Sequence, residues 1–238
     1  MNECNGYKIE RFDELASTND YCKEKRAERQ NLVVSAKRQT RGRGTKGRSF
    51  ASDAGGVFLS ALTFHETLAA KDAFTIMANS AVAVCETLRA YGVEPVIKWP
   101  NDIHVQGKKI CGILIENAFS GERVVSSVVG VGLNVANGLP DELSGLAITL
   151  SQALGKPFSE TEVAAVEEKL VCALTTFRRD VMQAYRAFLG YLNERATLLI
   201  GEEKLTVTLR SVDDEGGLLA ETEMGEERFA AAEVSLRT

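Results

Sequence analysis

Twelve consecutive residues, Lys37 to Arg48 (K-R-Q-T-R-G-R-G-T-K-G-R), contain three glycines and no apolar side chain. Neither the 3.6-residue period of an amphipathic helix nor the alternation of a strand can be drawn through them, so they form a loop. Apolar runs bracket it. Leu32 to Ser35 reads as a strand, and Gly56 to Phe64 (G-V-F-L-S-A-L-T-F) reads as a well-buried one from its β-branched and aromatic content. Any fold for this chain must therefore carry a long cationic excursion between two core strands.

The other segments sort by period. Ala16 to Asn19 (A-S-T-N) looks like a helix start, with a polar helix over Asp20 to Gln30 behind it. Asp72 to Tyr91 carries apolar residues at helical spacing and stops near Gly92. Pro95 to Trp99, Lys109 to Asn117 and Val124 to Val135 read as strands, and Gln106-Gly107 can turn the first two into a hairpin. Helical patterns occupy Asp141 to Leu154 and Glu160 to Tyr191. Beyond that, Ala196 to Ile200, Leu205 to Arg210, Leu218 to Thr222 and Arg228 to Leu236 are short strands with Gly or acidic turns, which marks a small all-β unit packed on the rest.

Composition narrows the class. At 238 residues, with 45% hydrophobic and 26% charged residues and four prolines, the chain reads as folded throughout. A formal net charge of -5 argues against a protein that coats nucleic acid over its whole surface, and leaves room for a local basic patch. The five cysteines are odd in number, widely spaced and never in a C-x-x-C pair, and are read as free thiols in a reducing compartment. The charged N-terminus has no secretory segment, and no apolar run approaches the roughly 20 residues of a membrane span. A cytoplasmic location and no membrane partner are expected.

Four constellations carry chemistry. In the loop, Arg41, Arg43, Lys46 and Arg48 stand among Gly42, Gly44 and Gly47, where backbone N–H groups and guanidinium forks suit a phosphate or carboxylate. The spacing is not that of a P-loop, and a solvated basic loop or an RNA-touching segment remains the plain alternative. Lys98-Trp99-Pro100-Asn101-Asp102 puts the only tryptophan at a strand end, where Asp102 could hold Mg²⁺ and Asn101 could orient a ribose or phosphate; an ordinary Asn-Asp turn is the rival reading. Lys109 opens the third, an apolar strand. Strand alternation sends Lys109, Cys111 and Ile113 to one face and Ile110, Gly112 and Leu114 to the other, with Gly112 leaving room for a ligand. In Gly130-Val131-Gly132-Leu133-Asn134 two glycines strip one side of a strand, so a flat ring could lie there against the Asn134 amide. The only histidines, His65 and His104, have no partners at metal-ligand spacing.

In order and spacing, S-T-N at Ser17 to Asn19, Gln39 with G-R-G-x-x-G-R at Gly42 to Arg48, K-W-P-N-D at Lys98 to Asp102, G-K-K-I-C-G-I-L-I-E at Gly107 to Glu116 and G-x-G-x-N at Gly130 to Asn134 resemble the biotin protein ligases. The end of the chain, Glu233 to Arg237, is similar to that family's C-terminal unit. The resemblance implies an α+β fold, a central mixed β-sheet flanked by helices (class II synthetase-like), with residues 1–194 as catalytic domain. Residues 195–238 would form a small SH3-like β-barrel. It also implies the activity: biotinyl-5'-AMP made from biotin and ATP with Mg²⁺, then transfer of biotin to a lysine of a biotin carboxyl carrier protein.

Site roles follow from the same resemblance. Ser17, Thr18, Asn19, Gln39, Gly42, Arg43 and Gly112 would surround biotin. The adenylate would meet Arg43, Thr45, Lys46, Arg48, Phe50, Lys98, Trp99, Asn101, Asp102, Lys109 and Asn134, with Lys109 and Arg43 as catalytic cations and Asp102 as the Mg²⁺ ligand. Phe50 stands where several members have tryptophan. Thr45 stands where some carry a second arginine whose loss is associated with leakage of the intermediate. Only 16 residues precede Ser17, so the DNA-binding domain of bifunctional members, and DNA binding with it, is not expected. A homodimer through sheet extension is compatible with the resemblance. The rival readings are lipoate or octanoate transfer on the same architecture, a nucleic-acid-binding module using residues 37–48, and a catalytically inactive relative.

Overall fold

The computed structural model describes residues 2–231 and 234–237. The chain opens with a hairpin of β1 (Glu3–Cys4) and β2 (Tyr7–Leu15). They are joined by Asn5 and Gly6, both at positive φ (50° and 79°), the two-residue turn whose twist suits antiparallel strands. The local sequence carries no strand signal at β1, because two residues are too few to show alternation. Ser17 caps α1 (Thr18–Glu24), which runs into a 3₁₀ turn at Lys25–Glu28 in place of the longer polar helix expected. That crossover lets β3 (Leu32–Gln39) return parallel to β2.

The remaining partners are antiparallel: β4 (Val57–Phe64), β5 (Val96–Lys98), β6 (Asp102–Val105), β7 (Lys108–Ser120) and β8 (Arg123–Leu133). Together they form a mixed eight-stranded sheet, ordered β1-β2-β3-β4-β8-β7-β6-β5. Gln106 and Gly107 make the β6–β7 turn at positive φ, as expected, although β6 itself was not read as a strand. Val33, Leu59, Val129 and Val131 belong to the large core under α2 (Phe74–Arg89), whereas Leu32, Val34, Leu62 and Val128 join Cys22 of α1 in a second cluster. Period-two alternation thus gives the sheet two apolar faces, with helices on both.

Two helical expectations are corrected. Asp141 to Leu154 is not one helix: a 3₁₀ turn at Asp141–Leu143 is followed by an extended stretch and only then by α3 (Leu150–Leu154). Gly145 sits at φ 79°, and Lys109 bonds this stretch on both sides, with its N–H to the Leu146 carbonyl and its carbonyl to the Ile148 N–H. Glu160 to Tyr191 divides into α4 (Glu160–Leu174) and α5 (Val181–Phe188). At the break the Thr175 and Thr176 hydroxyls bond to the Val171 and Cys172 carbonyls at 2.8 Å each, capping the last turn in place of its continuation.

The C-terminal strands are β9 (Arg195–Ile200), β10 (Glu203–Val212), β11 (Leu218–Thr222), β12 (Gly225–Phe229) and β13 (Val234–Arg237), all antiparallel and ordered β12-β11-β10-β9-β13. The expected SH3-like barrel is overturned, because among the described residues the edges β12 and β13 do not pair and the sheet stays open. Closure is not needed to bury its apolar face. Leu198, Val207, Leu209, Leu218 and Phe229 join the same core as the eight-stranded sheet. Glu233, on which part of the C-terminal resemblance rests, lies outside the described residues.

Polar ties fix this junction. The buried Trp99 indole donates to the Gly216 carbonyl at 3.0 Å, and Gly216 lies against the Phe74 ring. Arg186 donates to the Val212 carbonyl at 2.6 Å and pairs with Asp214. His104 Nδ1 lies 2.7 Å from the Tyr191 hydroxyl in the chain leading to β9. Burial, and then the Lys98 charge, push the His104 pKa down to about 4.

Trp99→Phe leaves a buried carbonyl unpaired, which should cost about 1–3 kcal/mol and lower Tm by several degrees. An unchanged denaturation curve would mean that Trp99 is not the strut described. His104 is neutral when folded and protonates in the unfolded chain below its ordinary 6.5, so its contribution is full above that pH and is lost as pH falls through about 4. Urea titrations of wild type and His104→Gln should diverge across this window, the wild type losing about 3 kcal/mol more; parallel pH profiles would contradict a neutral buried imidazole.

Candidate active site

On the α1 side of the sheet, the centre of β7 and β8 carries three glycines, with Leu114 the one side chain set among them. Gly112 and Gly132 are cross-strand neighbours, and Gly130 lies two residues along β8 on the same side. What fills the hollow comes from elsewhere. A Cβ at Gly130 would overlap the Asn19 carboxamide; one at Gly132 would lie 2.5 Å from the Phe50 ring; one at Gly112 would lie 3.1 Å from Lys109 Nζ and 3.2 Å from Phe50. The glycines of β8 therefore share one side of the strand, as their alternation predicted, and Gly112 of β7 faces Gly132 across it.

Lys109 reaches this side by a route that strict alternation excludes. Ile103 faces Cys111 and His104 faces Lys109 across β6 and β7, so Ile110 is an extra residue, a β-bulge. The bulge turns Lys109 over Gly112 and drops Ile110 into the core with Cys111 and Ile113. The expectation that Lys109 shares a face with Cys111 and Ile113 is thereby reversed. Its ammonium pairs with Asp102 at 2.7 Å and stands 6.0 Å from the Phe50 ring centroid.

The start of α1 forms the polar end. Gln39 Oε1 accepts from the Thr18 N–H at 2.8 Å and its hydroxyl at 3.1 Å, and Gln39 Nε2 donates to Ser52. The buried Ser60 hydroxyl lies 2.7 Å from Thr18 Oγ1 and 2.6 Å from Asn19 Oδ1. Asn19 Nδ2 donates to Glu116 at 3.0 Å. Buried polar groups are costly unless paired, and these pair with one another. Ser52 and Ser60 were not anticipated; their only sequence signal is a hydroxyl within or beside an apolar run.

Glu116, the last residue of the Gly107 to Glu116 motif, has a role that local sequence does not announce. It accepts from Lys23 at 3.1 Å and from Arg43 at 3.2 Å, while Arg43 also meets Asp20 at 2.7 Å. Burial alone would raise its pKa, but bonds from Asn19 and Lys23 and the charges of Lys23 and Arg43 outweigh this and hold it below the ordinary value. Glu116 therefore stays ionised and anchors the arginine.

The glycine loop is folded back on itself. Gly44 N–H bonds to the Arg48 carbonyl at 2.7 Å and Phe50 N–H to the Gly42 carbonyl at 2.9 Å. Arg48 Nη2 donates to Thr45 Oγ1 at 2.9 Å. A cavity of about 420 Å³ lies between loop, glycine floor and α1. Arg43, Thr45, Arg48 and Phe50 line it from the loop, Ser17, Thr18, Asn19 and Gln39 from the polar end, and Lys98, Asn101, Asp102, Lys109, Gly112 and Asn134 from the sheet. Three anticipated residues are placed elsewhere. Gly42 is buried behind the wall against Phe50 and Ser52, Lys46 is exposed on the loop, and Trp99 braces the C-terminal sheet. The stretch from Leu139 to Ala147, expected to be helical from Asp141 onward, supplies an unanticipated wall. Asp102 is the one acidic side chain lining the cavity among the described residues, and these hold no cluster of three or more metal-ligand side chains.

Comparison with known proteins agrees with this arrangement. The biotin/lipoate A/B protein ligase family matches residues 12–134, and the biotin protein ligase C-terminal domain matches residues 191–237. The chain is 35% identical to the bifunctional ligase/repressor BirA of Bacillus subtilis over 220 residues, covering 87% of this chain and 66% of that protein. It is 30% identical to the biotin–[acetyl-CoA-carboxylase] ligase of Paracoccus denitrificans, covering 84% of this chain and 88% of that one. A biotin protein ligase from Aquifex aeolicus, solved in complex with biotin and ATP, superposes with a TM-score of 0.77 at 30% identity, over 96% of this chain and 98% of that one. Glycine floor, bulged lysine strand and folded-back loop thus sit in a chain that belongs to the biotin/lipoate A/B protein ligase family, in the branch that also carries the biotin protein ligase C-terminal domain.

Proposed function

We propose that this chain is an ATP-dependent biotin–protein ligase: it joins biotin to AMP with release of pyrophosphate, then transfers biotin to a lysine of a biotin carboxyl carrier protein. The observation that carries this reading is that Arg43, Lys109 and Asn134 line one cavity above a floor opened by Gly112, Gly130 and Gly132. The relatives support the substrates, since the Aquifex aeolicus enzyme was solved with biotin and ATP.

In the first step a biotin carboxylate oxygen attacks the α-phosphorus of ATP and pyrophosphate leaves. Negative charge grows on the α-phosphoryl oxygens, where Lys109 and Arg43 are set in advance, so they stabilise the transition state more than the ground state. Asp102 and Glu116 hold these cations in place, and the incoming anion competes for them. Biotin is assigned to the polar end at Ser17, Thr18, Asn19 and Gln39, with Gly112 beneath it. The nucleotide is assigned to Phe50, Lys98, Asn101 and Asn134, with Thr45 and Arg48 above. One carboxylate suits Mg²⁺ that arrives with the ATP phosphates, and Asp102 would hold it; the ion would neutralise phosphate charge. In the second step an uncharged carrier lysine attacks the acyl carbon and AMP leaves. The folded loop keeps water from the mixed anhydride until then.

Residues 1–194 are assigned the catalysis, since all the cavity-lining residues fall between Ser17 and Ala147, and residues 195–238 the bracing of β5 and α2 through Trp99 and Phe74. A cytoplasmic setting is supported by five cysteines without a C-x-x-C pair. No helix among the described residues is long and apolar enough to cross a membrane.

ATP–pyrophosphate exchange should appear with biotin and not with lipoate; exchange only with lipoate would transfer the chain to the other half of its family. Lys109→Ala should reduce exchange about 10²–10³-fold with Tm unchanged, and near-normal exchange would remove Lys109 from the mechanism. Thr45→Arg puts a further cation on the loop in place of the hydroxyl that holds Arg48, and should slow adenylate escape. With no carrier present, hydroxylamine-trapped biotin should then form more slowly; an unchanged rate would count against retention by the loop.

A further inference from the structure

Away from the active site, two cysteines 168 positions apart meet at the edge of the sheet. Cys4 Sγ on β1 lies 3.0 Å from Cys172 Sγ on α4, about 1 Å beyond a covalent S–S bond. Local structure brings them there. The Asn5-Gly6 turn ends β1 at Cys4, and the Asn5 carboxamide reaches α4, donating to Thr175 Oγ1 at 3.0 Å and Thr176 Oγ1 at 3.2 Å. Glu167, one turn earlier on α4, accepts from Arg11 of β2 at 2.8 Å and Ser35 of β3 at 3.0 Å. Helix and edge hairpin are thus docked by bonds that do not involve sulfur. The other three cysteines are buried, whereas Cys4 and Cys172 are part-exposed and within reach of a small solute.

We propose that Cys4 and Cys172 are a reversible modification site, a dithiol that closes to an intramolecular disulfide when it meets a low-molecular-weight disulfide such as oxidised glutathione. The thiolate of one cysteine attacks the small disulfide and expels one small thiolate. The other cysteine, deprotonated, attacks the protein-side sulfur of the mixed disulfide, the protein S–S bond forms and the second small group leaves as a thiolate that takes up a proton. The protein gives up two protons and two electrons, and the small disulfide takes them up to become two thiols. The Cys172 thiol is pushed up to about 11, first by its hydrogen bond with Cys4 and then by burial, which disfavours Cys172 as the first attacker; the closing step is intramolecular between groups already in contact. The bond would staple the edge hairpin, and the β2 strand that leads to the Ser17 cap, onto α4. Because the two cysteines are 168 positions apart and the bond would close a correspondingly long loop, oxidation should raise Tm by roughly 10 °C.

The test uses the full-length protein, reduced and then incubated with oxidised glutathione. Intact mass should fall by two hydrogens with no glutathione retained, digestion should yield one peptide pair linking Cys4 to Cys172, and dithiothreitol should restore both the mass and the lower Tm. Cys4→Ser, folded with the Tm of the reduced wild type, should instead keep glutathione on Cys172 and gain no stability. Stable glutathione adducts on the wild type, a link between two chains, or unaltered mass after prolonged exposure would each overturn the proposal.

Discussion

The placement of three glycines on one side of β7 and β8 is the constraint on which the rest of the site depends. A close-packed sheet leaves no room beside a helix, and here Gly112, Gly130 and Gly132 open that room at the centre of the fold. Asn19 enters from α1, Phe50 from the loop and Lys109 from the bulge, each against a glycine that any larger residue would displace. The floor is rigid because β4 and β7 flank β8 along most of its length. Precision at the site is borrowed from the sheet, while the groups that meet charge stand on its margins.

Electrostatics follows the same division. The cations are each held by carboxylates, Lys109 by Asp102 and Arg43 by Asp20 and Glu116, in an acidic protein. Such pairs orient a cation without neutralising its use, since a phosphate or carboxylate that enters can take over the same donors. The C-terminal sheet serves the site at a distance. It stays open and spends its apolar face on the shared core, and through Trp99 it braces the strand end next to Asn101 and Asp102.

Legibility in the sequence depended on whether a signal was local. The loop from Lys37 to Arg48 excluded regular structure by composition, and the alternation of Gly130 and Gly132 marked a bare strand side, because both arguments need only neighbouring residues. The bulge at Ile110 was invisible: whether a strand carries an extra residue is set by its partner's register. The stretch from Asp141 to Leu154 misled for a related reason. Its apolar spacing suits a helix, but Lys109 claims its backbone hydrogen bonds. Trp99 stood beside the right residues and turned the other way.

What the sequence by itself determined was the inventory and its order: a cationic glycine loop, a strand-end lysine, a bare strand and a capped helix start, all fixed by local periodicity and residue chemistry. Only the tertiary structure decided how these meet. Lys109 crosses to the glycine side, Glu116 becomes the anchor of Arg43, Cys4 finds Cys172, and the C-terminal sheet remains open. Each of those outcomes depends on pairing between residues far apart in the chain, where the free energy of burying a face or satisfying a buried charge outweighs local preference.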